Sequence, residues 1–307
     1  YQAYAQSYSD SLTYTDAELE AAYQADPKTY DKAAWEYVVV SGAADSTTDA
    51  DGNTVQATDE EQAAAKETAK ATAEEILAAY NSGKSLESIA GNYEKATYYN
   101  TTDATYYDGV VGNWLFDDAR KDGDTEILEV GTNYYVGLFH SRGREEYKTV
   151  DIRHILITPE TGTKAQGDEG YEDEQTQLKA AARTKAEEIL AQWKSGEATE
   201  DSFAQLAMEN SADGSKYDGG LYTRVTKGWA VEEFNDWCFD ASRKDGDTGI
   251  VDTTYGSHVM YFVGYDLPAW AASVTSDLQE KAASEWSTAL SENADVQQSD
   301  FGMKFVG

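Results

Sequence analysis

Apolar residues recur with a helical period in several segments of this chain. One segment, residues 178–193, carries an apolar stripe that consists of Leu178, Ala182, Ala186, Ile189, Leu190 and Trp193. A second, residues 273–292, carries the stripe Val274, Leu278, Ala282, Trp286 and Leu290. Spacings of three and four residues place such side chains on one face of a helix, so both segments are predicted to be amphipathic helices. Residues 15–25 form a third predicted helix, which begins at a capping box of Thr15 and Glu18.

Short runs of β-branched and aromatic residues lie between the helical segments. Residues 37–40, 152–157 and 259–263 are runs of this kind, and such residues pack well on the half-buried surface of a sheet. Each of the first two runs is followed by an acidic polar insert and then by a helical segment. This mixture of strands and helices within one short unit predicts an α+β fold with an antiparallel sheet.

The chain contains an internal repeat. Residues 116–125 and 239–248 are identical at eight of ten positions, and the sequence Glu-Glu-Ile-Leu-Ala of residues 74–78 recurs at residues 187–191. Self-similarity of this kind indicates that one structural unit occurs twice. Each copy reads, in order, as a strand, an acidic insert, a long helix, a short helix, a glycine-containing loop and closing strands.

The repeat predicts how the chain is divided. We expect residues 33–147 and 148–268 to be two tandem α+β domains, and residues 1–32 and 269–307 to be helical. The two helical segments come from opposite ends of the chain, and we expect them to pack together as a third, helical module.

The composition is that of a globular protein with an extreme charge. Forty per cent of the residues are apolar, which is enough for the cores of two or three domains. The chain has 57 acidic and 24 basic residues and a net charge of −33. Nucleic acid and anionic membranes would repel such a chain, so nucleic acid is not an expected partner, whereas basic unfolded chains would be attracted.

No metal or cofactor is expected. The single cysteine, Cys238, lies between Trp237 and Phe239 and is expected to be a small buried residue, because no base that could activate it is apparent. Residues 49–52 have the sequence Asp-Ala-Asp-Gly, which resembles part of a calcium loop. An EF-hand would require Glu at residue 58, where the chain has Thr58, so we expect a plain turn.

Residues that suggest a chemistry are concentrated in the second copy. In chain order they are His154, Asp213, the glycine pair before Leu221, Phe234, Phe239, Tyr255 and His258. Their order and spacing resemble the parvulin family over residues 150–264. The resemblance implies a peptidyl-prolyl cis/trans isomerase domain, in which a four-stranded antiparallel sheet is wrapped by helices.

The resemblance also implies roles for individual residues. His154, Asp213 and His258 match the polar residues of the family's site, where two histidines lie side by side beneath the substrate. The residues that match or neighbour the proline pocket are Leu221, Ala230, Phe234, Phe239 and Tyr255. Ala230 stands where the family commonly has Met, and this smaller side chain would enlarge the pocket. Tyr255 stands where several members have a small hydroxyl residue.

The histidines could also have a structural role or bind a metal. A histidine pair can be a hydrogen-bonded feature of a core without a catalytic role. A zinc site is disfavoured, because no Cys or carboxylate lies at ligand spacing from the histidines. Recognition of phosphorylated substrates is not expected, since the insert after the first strand begins with Thr158-Pro159-Glu160 and lacks the basic cluster that phosphate requires.

The first copy departs from this pattern. Tyr37 stands where the second copy has His154, and residues 131–133, Gly-Thr-Asn, align with residues 256–258, Gly-Ser-His. Both histidines are therefore missing. We predict a degenerate parvulin-like domain without isomerase activity, which binds unfolded chains or acts as a spacer.

The whole arrangement resembles extracytoplasmic bacterial foldases of the PrsA and SurA kind. The resemblance implies that the substrates are unfolded or partly folded exported polypeptides with Xaa-Pro bonds. It also implies a location at the cell surface or on a membrane, through a signal or anchor upstream of Tyr1. Three functions stay open: a prolyl isomerase and foldase, a non-catalytic holdase that uses the parvulin folds to bind unfolded chains, and a structural cell-surface protein.

Overall fold

A computed structural model of the protein describes residues 7–293. Its contacts divide the chain into two compact units: the first is Thr13–Glu145, and the second combines the residues from Glu146 onward with those up to Leu12. Each unit contains a four-stranded sheet with antiparallel strand pairs. These helices and antiparallel sheets confirm the α+β class predicted from the sequence.

The elements of the first unit follow the predicted order. They are α1 (Asp16–Ala25), α2 (Pro27–Tyr30), β1 (Lys32–Val40), β2 (Thr47–Thr48), β3 (Thr54–Val55), α3 (Asp59–Asn81), α4 (Leu86–Ala90), β4 (Ala96–Ala104), α5 (Val110–Leu115), β5 (Thr125–Val130) and β6 (Asn133–Gly143). The main sheet has the strand order β4-β1-β6-β5, and β2 pairs with β3 in a small hairpin. Helix α3 begins at a capping box of Thr58 and Glu61, which pairs two backbone N–H groups that the helix leaves free.

The second unit repeats this order. Its elements are β7 (Lys148–Ile157), α6 (Tyr171–Ser195), α7 (Glu200–Asn210), a 3₁₀ turn (Gly214–Asp218), β8 (Leu221–Val225), α8 (Glu232–Cys238), β9 (Thr248–Thr253), β10 (Gly256–Pro268) and α9 (Ala269–Asn293). Its sheet has the order β8-β7-β10-β9, the same order as in the first unit. The predicted stripe of α6 is confirmed by its buried residues, which are Ala182, Ala186, Ile189, Leu190 and Trp193.

Each sheet is packed on both faces. On one face lies the long helix, α3 or α6, over an apolar core that includes Val38 in the first unit and Ile155 in the second. On the other face lies the short helix, α5 or α8, over a second apolar core. Successive side chains of a strand point to opposite faces. The preceding residues, Tyr37 and His154, therefore lie on the short-helix face of their sheets.

The strand registers identify the equivalent residues of the two units. Leu128 of β5 pairs with Tyr135 of β6, as Val251 of β9 pairs with His258 of β10. The counterpart of His258 is therefore Tyr135, and the predicted alignment with Asn133 is wrong. That alignment followed a glycine that lies in the hairpin turn of the first unit but begins the closing strand of the second.

The two near-identical decapeptides form the same structure. In the second unit the Arg243 guanidinium lies 4.1 Å from the centroid of the Trp237 ring, and its Nε–H donates to the Trp237 carbonyl at 3.1 Å. In the first unit Arg120 makes both contacts with Trp114, at 4.6 and 3.2 Å. In each unit a glycine of the decapeptide then donates its N–H to the closing strand. We call this arrangement the arginine clasp, because it ties the short helix to the sheet.

The ends of the chain are divided between the units. Helix α1 belongs to the first unit, where the Tyr23 hydroxyl donates to the buried Asp31 carboxylate at 2.7 Å. Helix α9 belongs to the second unit, where the Tyr8 and Trp286 rings stack with centroids 5.2 Å apart. The N-terminal segment is thus divided: residues 7–12 pack with α9, where the Gln279 amide donates to the Leu12 carbonyl at 3.0 Å, whereas α1 packs in the first unit. The predicted packing of the two chain ends applies to residues 7–12 and not to α1, while residues 1–6 and 294–307 lie outside the described range. None of the helices within residues 7–293 has the length and apolar content of a membrane span.

Candidate active site of the second unit

Two histidines from neighbouring strands meet on the short-helix face of the second sheet. The Nδ1 atoms of His154 on β7 and His258 on β10 lie 3.1 Å apart, and their rings stack with centroids 5.3 Å apart. Both side chains are buried, with 3% and 5% of their surface exposed. The register brings them together, because His258 lies two residues along β10 from Met260, the strand partner of His154.

The carboxylate of Asp213 lies next to His154. Asp213 caps the 3₁₀ turn, and its Oδ1 atom lies 3.3 Å from Nε2 of His154. The same oxygen accepts hydrogen bonds from the backbone and hydroxyl of Ser215, at 2.8 and 2.6 Å, and from the Tyr222 hydroxyl at 2.9 Å. The hydrogen bond with His154, together with those from Ser215 and Tyr222, outweighs partial burial and holds the pKa of Asp213 well below its usual range.

When both imidazoles are neutral, these contacts assign the proton positions of the site. An ionised carboxylate can only accept, so Nε2 of His154 carries the proton that faces Asp213. Nδ1 of His154 is then an acceptor and receives the Nδ1–H of His258. Nε2 of His258 is left to accept from the Thr253 hydroxyl, 2.9 Å away. The network therefore assigns both tautomers, and its hydrogen bonds run in one direction from Thr253 to Asp213.

His258 is uncharged at neutral pH. Removal from water, and then the neighbouring His154, lower the pKa of His258 to about 4, against the opposite effect of Asp213 and Asp252. A further proton on His258 would also have to compete with the hydrogen bond from Thr253. The polar centre of the site is thus an imidazole pair, of which His258 is uncharged, with the Asp213 carboxylate at its end.

Aromatic rings form a wall beside the histidines. Phe234 of α8 is buried, and its ring lies edge-on to both imidazoles, with centroids 5.5 Å from His154 and 5.3 Å from His258. The Tyr222 ring lies 5.5 Å from His154, and the Trp229 ring lies 4.7 Å from Tyr222 and 6.3 Å from Phe234. Trp229 is 50% exposed. Phe234 is thus the predicted pocket residue in ring contact with the histidines, and the wall opens to solvent at Trp229.

Tyr222, and not Leu221, lies on the site face of β8. Tyr222 pairs with Ile152, which belongs to the apolar core under the site, whereas Leu221 pairs with Arg153 on the opposite side of the strands. The preceding Gly220 has a φ of +75°, and a Cβ there would lie 2.3 Å from a carbonyl oxygen of β7. This close backbone approach sets the face of the next two residues, so the predicted pocket position of Leu221 is filled by Tyr222.

The remaining predicted pocket residues lie around the site. Ala230 packs on the apolar core of the short-helix face. Phe239 joins the same core, and its ring contacts are with Tyr147, at a centroid distance of 5.9 Å, and with Lys227. Tyr255 is 64% exposed in the turn between β9 and β10. These three residues are placed to influence the edges of the site and not its polar centre.

Sequence reasoning missed several residues of this site, namely Ser215, Tyr222, Trp229 and Thr253. The two small hydroxyl residues carry no local signal, because their role depends on contacts made across the fold. The two aromatic residues each stand beside a predicted residue, Leu221 or Ala230. A preference for the aromatic member of each pair would have found them.

The cysteine and the acidic turn show ordinary structural environments. Cys238 is buried, and burial raises the pKa of its thiol to about 12, so the thiol is protonated. The Asp49 carboxylate accepts hydrogen bonds from the backbone of Asp51 and Asn53, at 3.0 and 2.8 Å, as in a plain turn. Across residues 7–293, no group of three or more His, Cys, Asp and Glu side chains is placed to hold a metal ion.

Comparison with known families identifies the class of the domain that holds the histidines. Residues 136–263 match the family described as the PPIC-type PPIase domain. The match begins in β6 of the first unit and ends in β10, so it includes both histidines, Asp213 and the aromatic wall. The chain therefore contains a parvulin-type domain of the PPIC class.

The similar proteins include PrsA foldases. Over 142 residues the chain is 29% identical to Foldase protein PrsA 1 from Listeria innocua, a match that covers 45% of this chain and 39% of that protein. The chain thus spans about two fifths of this relative's length. Among solved structures, PrsA from Bacillus subtilis is 21% identical over 50% of this chain and 52% of that one, with a TM-score of 0.33. A SurA-like chaperone from Campylobacter jejuni is 22% identical over 50% of this chain and 56% of that one, with a TM-score of 0.28.

Proposed function

We propose that the second unit, within residues 148–268, catalyses cis/trans isomerisation of Xaa-Pro bonds in unfolded polypeptides. The observation that carries the proposal is the directed chain of hydrogen bonds through His258 and His154 to Asp213, beside the aromatic wall. The match to a PPIC-type PPIase domain supports it.

The reaction needs neither a nucleophile nor a cofactor. An Xaa-Pro bond interconverts in tens to hundreds of seconds, across a barrier of about 18–20 kcal/mol. A protein accelerates the rotation when it binds the twisted amide more tightly than either planar form. The twisted amide loses its resonance, so its nitrogen becomes basic and the charge on its carbonyl oxygen changes. A site that grips the ring and presents fixed polar groups to the amide therefore lowers the barrier.

The aromatic wall holds the proline ring in this proposal. A ring seated against Phe234 would face both imidazoles, whose centroids lie 5.3–5.5 Å from that of Phe234. His258 is uncharged at neutral pH and so brings no net charge next to the amide. The charge of Asp213 polarises both imidazoles from the end of the network, which is electrostatic stabilisation by groups that are already in place.

Exchange spectroscopy on unphosphorylated Xaa-Pro peptides tests the proposal. Folded wild-type protein should accelerate exchange between the cis and trans NMR signals, and His154→Ala should lose most of that acceleration. His140→Ala is the matched control, because His140 lies in the first unit and contacts Glu36 there, at 3.0 Å. No acceleration by the wild type on any peptide would contradict the proposal.

We further propose that the protein is a foldase for exported polypeptides and acts outside the cytoplasm, at the cell surface or on a membrane. Similarity to a PrsA foldase supports this role, and the net charge of −33 would attract basic unfolded chains. The protein should shorten the refolding time of an exported protein whose folding is limited by proline isomerisation, and Asp213→Asn should reduce the effect. A refolding time that the wild type leaves unchanged would contradict the role.

A non-catalytic holdase is the second candidate function. The first unit favours it, because Tyr37 and Tyr135 stand where the histidines would be, and Ala230 leaves room in the proline pocket of the second. A holdase should suppress aggregation of a denatured client equally well with and without Asp213→Asn. Light scattering during dilution from denaturant measures this suppression, and a loss of suppression in the variant would contradict a purely non-catalytic role.

A further inference from the structure

The first unit has a cluster of tyrosines at the place where the second unit has its histidine site. Tyr37 and Tyr135 are the counterparts of His154 and His258 in the strand registers. Two further tyrosines come from β4 and from the loop after it. We call the four residues the tyrosine patch: Tyr37, Tyr99, Tyr107 and Tyr135.

The rings of the patch stack around Tyr37. Its centroid lies 5.0 Å from that of Tyr99, its strand partner, and 5.8 Å from that of Tyr135, with angles of 18° and 20° between the ring planes. Trp35 stacks on Tyr37 from the core side at 4.0 Å and 13°. The rings of Tyr37, Tyr99 and Tyr135 are therefore nearly parallel and rest on the apolar core through Trp35.

Tyr107 completes the patch from the loop before α5. Its backbone lies close to α5 because residue 112 is Gly112, where a Cβ would come within 1.9 Å of the Tyr107 carbonyl oxygen. The pKa of Tyr37 is raised by burial and then by its neighbours Tyr135, Tyr99 and Tyr107.

The patch presents both apolar surface and hydrogen-bond donors. Tyr99 is 46% exposed and Tyr107 is 53% exposed. Among the residues that the structure describes, none accepts or donates a hydrogen bond to any of the four hydroxyls. The exposed rings can therefore contact an apolar ligand, and the hydroxyls are available to donate hydrogen bonds to it.

The unit that carries the patch is acidic. Asp103 and Asp108 lie close in sequence to Tyr99 and Tyr107, and their hydrogen bonds within the described range are with Thr and Asn side chains and not with a cation. The unit Thr13–Glu145 has 26 acidic and 10 basic residues, an excess of 16 negative charges. Charge complementarity therefore favours a basic ligand and disfavours a phosphorylated one.

We propose that the tyrosine patch binds extended, unphosphorylated polypeptide segments that contain proline and basic residues. Proline-rich chains adopt a rigid extended conformation and dock on aromatic-lined surfaces at a low cost in entropy. Their carbonyl groups point outward and can accept from tyrosine hydroxyls. The binding does not depend on isomerase activity in the second unit, so the two proposals can fail separately.

Binding of a basic proline peptide to the ¹⁵N-labelled full chain tests this proposal. The probe is a fluorescein-labelled peptide of alternating Lys-Pro and Leu-Pro units, with two matched peptides in which Glu replaces Lys or Ala replaces Pro. The Lys-Pro peptide should shift the amide signals of β4 and of the loop at residues 105–109, and should bind about tenfold more tightly than either matched peptide. Shifts confined to the second unit, or equal binding of all three peptides, would overturn the proposal.

Two variants locate the binding. The double variant Tyr99→Ser, Tyr107→Ser removes the exposed rings and should weaken binding about tenfold, whereas Tyr217→Ser, at a tyrosine that is 80% exposed in the second unit, should not. The double variant Tyr99→Phe, Tyr107→Phe keeps the rings and removes two hydrogen-bond donors, so its affinity should lie between those of the wild type and the double serine variant. It also tests the site if the serine variant does not fold. Asp213→Asn, in the second unit, should leave the peptide-induced shifts of the amide signals of the first unit unchanged. Wild-type affinity in both double variants would overturn the proposal.

Discussion

The Nδ1 atoms of His154 and His258 lie 3.1 Å apart, so one of the two buried imidazoles donates a hydrogen bond to the other. The Asp213 carboxylate fixes the outer nitrogen of His154 as a donor. When both imidazoles are neutral, the direction of every hydrogen bond as far as Thr253 follows from that single negative charge. A substitution of Asp213 or Thr253 should therefore alter the hydrogen bonds at the opposite end of the network.

Acid should destabilise the second unit through His258. The pKa of His258 is about 4 in the folded protein and about 6.5 in an unfolded chain. The unfolded state therefore binds the proton more readily, so the stabilising contribution is complete above pH 6.5 and is lost as the pH falls through 4, up to roughly 3 kcal/mol. Urea denaturation at a series of pH values between about 7.5 and 4 measures the loss.

His258→Asn is the control for this pH dependence. The variant lacks the titrating imidazole, so its free energy of unfolding should fall less over the same range. The fall that remains comes from carboxylates with lowered pKa values, of which Asp213 is one. Equal slopes for variant and wild type would mean that His258 is not the source.

Asp213→Asn should slow catalysis more than it alters binding. Asparagine keeps the size of the side chain but removes the charge that polarises the imidazole pair, so kcat/KM for an Xaa-Pro peptide should fall about 10- to 100-fold. Asp218→Asn makes the same chemical change on the same 3₁₀ turn, at an exposed side chain. Exchange spectroscopy should show near wild-type rates for Asp218→Asn, and equal rates in the two variants would remove Asp213 from the proposed mechanism.

Trp229→Ala should weaken substrate binding with little effect on folding. Its ring borders Tyr222 and Phe234 but is half exposed, so its loss should cost about 1 kcal/mol or less of the free energy of unfolding. KM for proline peptides should rise severalfold while kcat changes little. Met208→Ala, on α7 and 51% exposed, is the control that should leave KM unchanged; a KM that is also unchanged in Trp229→Ala would place the pocket elsewhere.

Gly220→Ala should disrupt the site through the backbone. Its φ of +75° disfavours a side chain, and a Cβ would press on the His154 carbonyl oxygen. We expect a loss of about 2 kcal/mol or more in the free energy of unfolding, measured by urea denaturation. Gly214→Ala is the matched control, since a Cβ there meets nothing within 4 Å; similar losses in both variants would show that the close approach at Gly220 is not the cause.

Local patterns predicted much of this fold. The 3.6-residue stripe of α6 and the capping box at Thr15 appear where the sequence places them, because both depend on neighbours within a few residues. The repeat of ten residues predicted two units, and the two sheets have the same strand order. The two histidines are 104 residues apart in sequence. They were predicted from the motifs around them and not from hydrophobic periodicity.

Errors occurred where a shift of one or two residues decides which side chain faces the site. A strand alternates its faces, so taking Leu221 for Tyr222 exchanges one side of the sheet for the other. The choice of Asn133 over Tyr135 followed a glycine whose place in the hairpin differs between the units. Register depends on pairing with a distant strand, which the local sequence does not record.

The arginine clasp has a consequence for how this chain arose. It is nearly identical in the two units, although it uses none of the residues of the histidine site, and the sheet faces have meanwhile become different. After a duplication, the demand to fold acts on both copies, whereas the demand for a particular chemistry needs to act on only one. One copy of the scaffold can thus carry a tyrosine surface while the other carries the histidines.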